Sequence, residues 1–232
     1  EGYYFPYEQT YTHLVDMQFP DKQVINLGVA AYAPNQYLLA ARKHIGAFNV
    51  TDIVVTFFPH NDLLEMSKST NLGYAKPIFG DSVSGPTNLP LKKLDGGKDT
   101  GTLRWFNDHS ALIRAINPWL FRYIPGIRAL DAIESIPVRF EEAAMFKALK
   151  LIKQIEVEFP VNRFFVYYIP LRQELEDDQI FIHNIEQFDR LCGRLNMPCF
   201  SVANVAAKAV APSEMYLPTD GHFYKLGASL VA

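Results

Sequence analysis

Two continuous apolar runs, Ile53–Phe58 and Phe164–Ile169, constrain the fold of this 232-residue chain most strongly. Uninterrupted runs of this kind are typical of strands that are buried on both faces of a parallel sheet. A long helical pattern, Phe140–Phe159, lies between them and suffices for a crossover connection. The chain is therefore predicted to be an α/β protein with a doubly wound, mostly parallel sheet.

The rest of the sequence continues the alternation of helices and strands. Further helices are predicted at Tyr7–Phe19, Pro34–Phe48, Trp105–Tyr123, Ile182–Leu195 and from His222 onward, and further strands at Val24–Leu27 and Cys199–Val202. No strand precedes the first helix, so the first strand of the fold is expected to be missing. Residues 68–102 accumulate Gly, Pro, Asn and Lys and are predicted to be an irregular excursion, with a β-ribbon, from a single domain spanning 1–232.

Composition excludes some classes of partner. The net charge is −3 and the basic residues are scattered, which does not fit a nucleic-acid-binding surface. No apolar stretch reaches the roughly 20 residues that a membrane-spanning helix needs. The two cysteines, Cys192 and Cys199, are interpreted as unpaired buried thiols rather than a disulfide, and the redox compartment stays open. The acidic run Glu174–Asp178 is interpreted as a surface loop.

Three candidate segments follow predicted strands or open a predicted helix. They are Gly28–Tyr32, His60-Asn61-Asp62 and Asp220-Gly221-His222. Functional groups of open parallel sheets gather beyond the carboxyl ends of the strands, so we expect these distant segments to meet at one edge. The sequence therefore predicts a single site built from all three.

The residue types in these segments suit acyl chemistry. His222 can act as a general base, with Asp220 orienting its imidazole. The Asn61 carboxamide and the backbone N–H at Ala31 can donate hydrogen bonds to an oxyanion. Each residue also has a plainer interpretation: Asn61 can cap a turn, and Asp220-Gly221 is a common turn dipeptide. His60 has no second ligand at a suitable spacing, so no metal site is expected.

These segments resemble three conserved blocks of the SGNH (GDSL-type) hydrolase family. The matching stretches are Asn26–Tyr32, Phe58–Asp62 and Asp220–His222, and their order along the chain is that of the family. The resemblance implies a flavodoxin-like, three-layer α/β/α fold, His222 as the base, Asp220 as its partner, and Asn61 and Ala31 as oxyanion donors. It adds His60 and Gly28 as substrate-binding residues and implies no cofactor.

The opening residues Glu1-Gly2-Tyr3 resemble the stretch that follows the family's nucleophile block. The resemblance therefore places the nucleophilic serine shortly ahead of Glu1, and this chain alone is expected to be inactive. The chain departs from the family at Ala31 and Pro59, where glycine is usual, and has one residue between Asp220 and His222 where two are more common. Gly80-Asp81-Ser82 spells the nucleophile motif, but its order and surroundings favour a polar turn.

The function implied is hydrolysis of O-acyl esters of carbohydrates or lipids by a serine esterase. Two alternatives stay open: transfer of an acyl group to a cell-surface glycan, and a non-catalytic binding domain of the same fold. The substrate is expected to be a small-molecule or glycan ester. The resemblance suggests a location in the cell envelope, and the oligomeric state stays open.

Overall fold

A parallel sheet forms the centre of the molecule. The computed structural model describes residues 6–29, 31–71, 74–89, 91, 139–176, 178–202, 212–216 and 227. The strands are β1 (Asp52–Phe57), β2 (Thr70–Asn71), β3 (Tyr74–Ala75), β4 (Arg163–Tyr168) and β5 (Cys199–Ser201). The helices are α1 (Tyr11–Gln18), α2 (Pro34–His44), α3 (Pro59–Ser67), α4 (Glu142–Glu158), α5 (Arg172–Glu176), α6 (Asp178–Arg194) and α7 (Pro212–Met215).

The predicted α/β character and the parallel pairing are confirmed. β4 pairs in parallel with β1 on one side and with β5 on the other. β2 and β3 form a separate antiparallel pair within the predicted excursion. The helix predicted at Trp105–Tyr123 lies outside the described residues, as does the helix predicted from His222 onward except for Gly227, which is helical.

One face of the sheet carries the hydrophobic core. Alternate strand residues, among them Val55, Phe57, Val166 and Tyr168, are buried on this face. They pack with apolar side chains of α2, α4 and α6 in one continuous cluster. α4 contributes buried residues at the helical period because its apolar stripe faces the sheet: Met145, Ala148, Leu149, Leu151, Ile152 and Ile155.

The opposite face is more open than the apolar runs predicted. Val54 on β1 is 58% exposed and Phe200 on β5 is 46% exposed. Phe200 packs against Phe165 and Tyr167 of β4, each with a ring-centroid distance of 5.6 Å. The prediction of burial on both faces is therefore wrong for β1, because no described helix packs over Val54.

The strand predicted at Val24–Leu27 is not formed. In the structure this segment is irregular, and Ile25 and Leu27 are exposed. Its backbone bonds locally instead: Val24 N–H donates to an Asp16 carboxylate oxygen at 2.9 Å. An apolar run becomes a strand only when a neighbouring strand offers it a ladder. No strand of the described sheet pairs with this segment.

The two cysteines form a disulfide, so the prediction of unpaired thiols was wrong. Cys192 near the end of α6 is joined to Cys199 at the start of β5, with their Cα atoms 6.2 Å apart. The turn between them reverses the chain, and Asn196 takes the left-handed conformation (φ 47°) that asparagine tolerates. This turn brings the two side chains together across their separation of seven residues.

Reducing this disulfide is expected to lower the free energy of unfolding by roughly 2–3 kcal/mol, because the short loop no longer restricts the unfolded chain. Urea unfolding with and without reductant measures the change. In the Cys192→Ala/Cys199→Ala double variant, reductant should have no effect. Equal urea midpoints for the oxidised and reduced wild-type chain would contradict the linkage.

The acidic run Glu174–Asp178 is also not the predicted surface loop. Glu174 lies in α5 and is 1% exposed, and its carboxylate accepts hydrogen bonds from the Tyr168 hydroxyl, the Leu171 N–H and the Asn184 side-chain amide. The Tyr216 hydroxyl donates to the Pro170 carbonyl close by. A buried polar cluster therefore joins the end of β4 to α5, α6 and α7.

Among the described residues, no helix combines the length and apolar character needed to cross a bilayer.

Candidate active site

The first turn of α3 follows directly on the carboxyl end of β1. Pro59 occupies the first helical position, where its missing N–H is not needed. The buried Asp62 carboxylate accepts the Phe58 N–H at 2.9 Å and the Tyr37 hydroxyl at 2.8 Å, which ties the turn to α2. This carboxylate therefore fulfils the capping role that was one interpretation of Asn61.

Asn61 is the third residue of α3. Its backbone N–H donates to the Phe58 carbonyl at 3.1 Å, and its side chain is half-buried. Among the described residues, no hydrogen bond involves its carboxamide. Asn61 is thus held on a rigid helical turn while its N–H₂ group is available to a ligand.

His60 precedes Asn61 and packs beside Phe58, with 5.8 Å between the ring centroids. Burial lowers the pKa of its imidazole below the usual value, so the ring is neutral at pH 7. Its Nδ1 atom is buried without a hydrogen-bond partner in the part of the chain that the structure describes. A neutral ring of this kind can hydrogen-bond a substrate hydroxyl without adding a charge.

Ala31 lies in a tight turn with a backbone conformation that is rare for alanine. Its φ is 59°, in the left-handed region, and the Tyr32 N–H closes the turn by donating to the Val29 carbonyl at 3.2 Å. Glycine reaches this region without a steric penalty. The departure noted from sequence, Ala31 where the resembled family has glycine, thus falls on a position whose geometry favours glycine.

The Ala31→Gly substitution is expected to raise the free energy of unfolding by about 0.5–1 kcal/mol, since it relieves the left-handed strain at a partly offsetting entropic cost. Urea denaturation followed by circular dichroism measures the change. The same substitution in the middle of α2, Ala40→Gly, is the control and should destabilise by about 1 kcal/mol. Equal destabilisation by the two substitutions would show that the Ala31 backbone is not strained.

A buried lysine links the Ala31 turn to α3. Lys76 is 2% exposed, and its Nζ atom donates to the Ala31 carbonyl at 3.3 Å and to the Glu65 backbone carbonyl and carboxylate at 2.8 Å each. Lys68 contacts the same carboxylate at 2.6 Å. Burial alone would raise the pKa of Glu65, but the hydrogen bonds and charges of both lysines lower it below its usual value. The carboxylate is therefore ionised between two cations.

The structure links the Ala31 turn to the helix that carries the second predicted segment, through a contact at Glu65 rather than at the segment itself. The Ala31 turn and α3, with His60 and Asn61, are joined through Lys76 and Glu65. Gly28 lies on the exposed stretch leading into the turn, where its N–H donates to the Asn26 side chain at 2.8 Å. The base and its partner, His222 and Asp220, lie outside the described residues.

Ser82 of the Gly80-Asp81-Ser82 motif lies in a polar turn, as predicted. Its side chain is exposed, and its Oγ atom is 2.8 Å from that of Ser84. Two clefts of about 390 and 380 Å³ lie elsewhere, one at the amino end of β4 near Asn162 and one between the Ser82 turn and α4. Neither is lined by Ala31, His60 or Asn61.

Sequence reasoning missed the residues that connect the predicted segments. Lys76 stands in a Gly- and Pro-rich stretch, where nothing in the local pattern signals a buried cation. Glu65 is a charged residue of an amphipathic helix and looks like part of a solvated face. Asp62 carried a weak signal, since an acid four residues after a strand end can bond back to the backbone there.

Comparisons of this chain with protein-family models, with curated proteins and with solved structures found no match.

Proposed function

We propose that this chain forms most of a serine ester hydrolase of SGNH type, acting on O-acyl esters of carbohydrates or lipids. The observation that carries the proposal is the connection of a left-handed turn at Ala31 to α3, whose first turn presents Asn61. The buried Lys76 makes this connection by bonding the Ala31 carbonyl and Glu65, which lies one helical turn beyond Asn61. Two hydrogen-bond donors on rigid elements at the carboxyl edge of a parallel sheet suit the binding of an oxyanion.

In this proposal the sheet is completed as a doubly wound, three-layer structure. A first strand, carrying the nucleophilic serine at its end, pairs with β1, the outermost strand of the described sheet on that side. The apolar face formed by Val54, Phe165 and Phe200 supports a second layer of helices.

The reaction proceeds in two halves. The serine hydroxyl attacks the ester carbonyl while His222 takes its proton, and Asp220 stabilises the imidazolium. The carbonyl oxygen becomes an oxyanion that accepts hydrogen bonds from the Asn61 carboxamide and the Ala31 N–H. The tetrahedral intermediate then expels the alcohol, which takes the proton from His222, and leaves an acyl-serine. Water, deprotonated by His222, attacks this ester and releases the acid and the free serine.

The surroundings of the site fit a neutral, hydroxyl-bearing substrate. The uncharged His60 ring beside Asn61 offers hydrogen bonding, and the exposed Gly28 lies on the stretch that leads into the Ala31 turn. The reaction needs no cofactor. The Cys192–Cys199 disulfide favours an oxidising compartment, such as the cell envelope, over a reducing cytosol.

The test is the Asn61→Ala variant in a polypeptide that extends ahead of Glu1, with p-nitrophenyl acetate as substrate. Loss of one oxyanion donor should lower kcat about 10²–10³-fold. The control is Asn162→Ala, an exposed asparagine at the amino end of β4, which should leave kcat unchanged. Equal kcat values for the Asn61→Ala variant and the wild type would overturn the proposal.

Two further outcomes of this assay separate the alternative functions. Transfer of the acyl group to a hydroxyl of an added glycan, rather than release of the free acid, would identify an acyltransferase. An inactive wild-type polypeptide that still binds glycan esters would identify a binding domain.

A further inference from the structure

Lys76 is a buried cation whose side-chain hydrogen bonds go to the Ala31 turn and to α3. It lies just after β3, in the segment predicted to be an excursion from the fold, and yet its side chain is 2% exposed. An ammonium group has three N–H donors, and three acceptors surround this one: the Ala31 carbonyl, the Glu65 carbonyl and the Glu65 carboxylate. Burying a charge is costly unless it is paired, and Glu65 provides the pair.

We propose that Lys76 is a positioning residue for catalysis: it holds the Ala31 turn against α3, so that the Ala31 N–H and the Asn61 carboxamide point at the same oxyanion. This inference rests on the proposed function. It assigns Lys76 no contact with the substrate and no part in proton transfer.

The geometry of the Ala31 backbone explains how a contact at a carbonyl can aim an N–H. The Ala31 carbonyl and the Ala31 N–H belong to two planar peptide groups that meet at its Cα atom, and only its φ and ψ relate them. With φ at 59°, the turn holds a strained conformation that needs support from its surroundings. The Lys76 bond to the Ala31 carbonyl and the Tyr32 N–H bond to the Val29 carbonyl both hold the plane that follows Ala31. Together they help the turn keep the backbone angles that set the direction of the Ala31 N–H.

Lys76 is itself held from both sides. The Asn88 side-chain amide donates to the Lys76 carbonyl at 2.7 Å, and its oxygen accepts the Ile78 N–H at 2.8 Å. The buried Asn35 of α2 donates to the Pro77 carbonyl at 2.6 Å. The segment Lys76–Ile78 therefore connects α2 to α3, and these bonds hold the Lys76 backbone in place beside the Ala31 turn.

Lys68 provides a matched control. It contacts the same Glu65 carboxylate at 2.6 Å, but its side chain is 44% exposed and, among the described residues, its ammonium group bonds to Glu65 alone. Lys76→Met and Lys68→Met each remove one cation from Glu65 and keep an unbranched chain of similar size. Only the first removes a bond to Ala31.

The first measurement is amide hydrogen exchange at Tyr32, whose N–H closes the Ala31 turn, in the chain of residues 1–232. Lys76→Met should speed exchange at Tyr32 about tenfold, and Lys68→Met should leave it within about twofold. If Lys76→Met does not fold, Lys76→Gln, which is one atom shorter and uncharged, takes its place with the same expected direction. Unchanged exchange at Tyr32 in the folded Lys76 variant would overturn the inference.

The second measurement is ester hydrolysis by the polypeptide that extends ahead of Glu1. Lys76→Met should lower kcat roughly 10- to 100-fold with KM within about twofold, because the misaligned donor acts in the transition state. Lys68→Met should have the same kcat and KM as the wild type. Faster exchange with unchanged kcat would overturn the positioning role. An inactive wild type would instead refute the proposed function, and the exchange result would then decide separately whether Lys76 holds the turn.

Discussion

Replacing Glu174 with alanine is expected to lower the free energy of unfolding by roughly 3–5 kcal/mol, a large effect for one substitution. The Glu174 side chain is 1% exposed and accepts three hydrogen bonds: from the Tyr168 hydroxyl at 2.5 Å, the Leu171 N–H at 2.6 Å and the Asn184 amide at 2.7 Å. Truncation leaves these donors facing a cavity that their neighbours cannot fill. Urea denaturation gives the change in free energy.

The matched control is Glu176→Ala in the same short helix. Glu176 is exposed and forms an ion pair with Arg172 at 2.8 Å, a surface interaction of about 0.5 kcal/mol. The free energy of unfolding of Glu174→Gln should lie between those of the two alanine variants. Its amide oxygen still accepts hydrogen bonds, but its N–H₂ group faces the Leu171 N–H. A Glu174→Ala variant as stable as Glu176→Ala would refute the buried cluster.

The same carboxyl makes a pH-dependent contribution to stability. Burial raises the pKa of Glu174 above its ordinary value, although hydrogen bonds from Tyr168, Leu171 and Asn184 act in the opposite direction. A raised folded-state pKa contributes stability that is fully present below the unfolded value and is lost as pH rises through the folded value. The stability of the wild type relative to Glu174→Gln should therefore decline as pH rises above about 4.5.

Replacing His222 with alanine is expected to lower kcat/KM for p-nitrophenyl acetate at least about 10³-fold in the polypeptide that extends ahead of Glu1. Without the base, the serine hydroxyl keeps its proton and the alcohol leaves without one. The oxyanion donors remain, so some hydrolysis above the background in water should persist. Added imidazole should restore part of the rate by supplying the missing base from solution.

His44→Ala is the control for this substitution. His44 is the last residue of α2 and is exposed, so its loss should leave kcat/KM unchanged. Activity retained in His222→Ala would remove His222 from the proposed site, whatever the behaviour of Asn61.

The elements predicted correctly are those whose sequence pattern reflects burial directly. α4 shows its apolar stripe at the helical period, and β1 and β4 are continuous apolar runs, so each was located to within a few residues. The prediction of a strand at Val24–Leu27 was wrong because strand formation depends on neighbouring strands as much as on the residues of the strand itself. Its backbone instead bonds to Asp16 and Asn26.

Polar residues inside the fold were harder to predict, because burial of a charge depends on partners that are distant in the chain. Glu174 belongs to an acidic run, and only Tyr168 and Asn184 make its burial possible. Lys76 stands among turn residues, and its pairing with Glu65 follows from the path of β2 and β3. At the candidate site, Asn61 and Ala31 were selected from sequence by their positions after strands, and their catalytic roles stay predictions.

The most direct test of the proposed serine hydrolase is reaction of the polypeptide that extends ahead of Glu1 with a fluorophosphonate, followed by intact mass measurement and peptide mapping. The proposal predicts one adduct per chain, on a serine ahead of Glu1, formed much more slowly in His222→Ala. No adduct, or an adduct on Ser82, would contradict it.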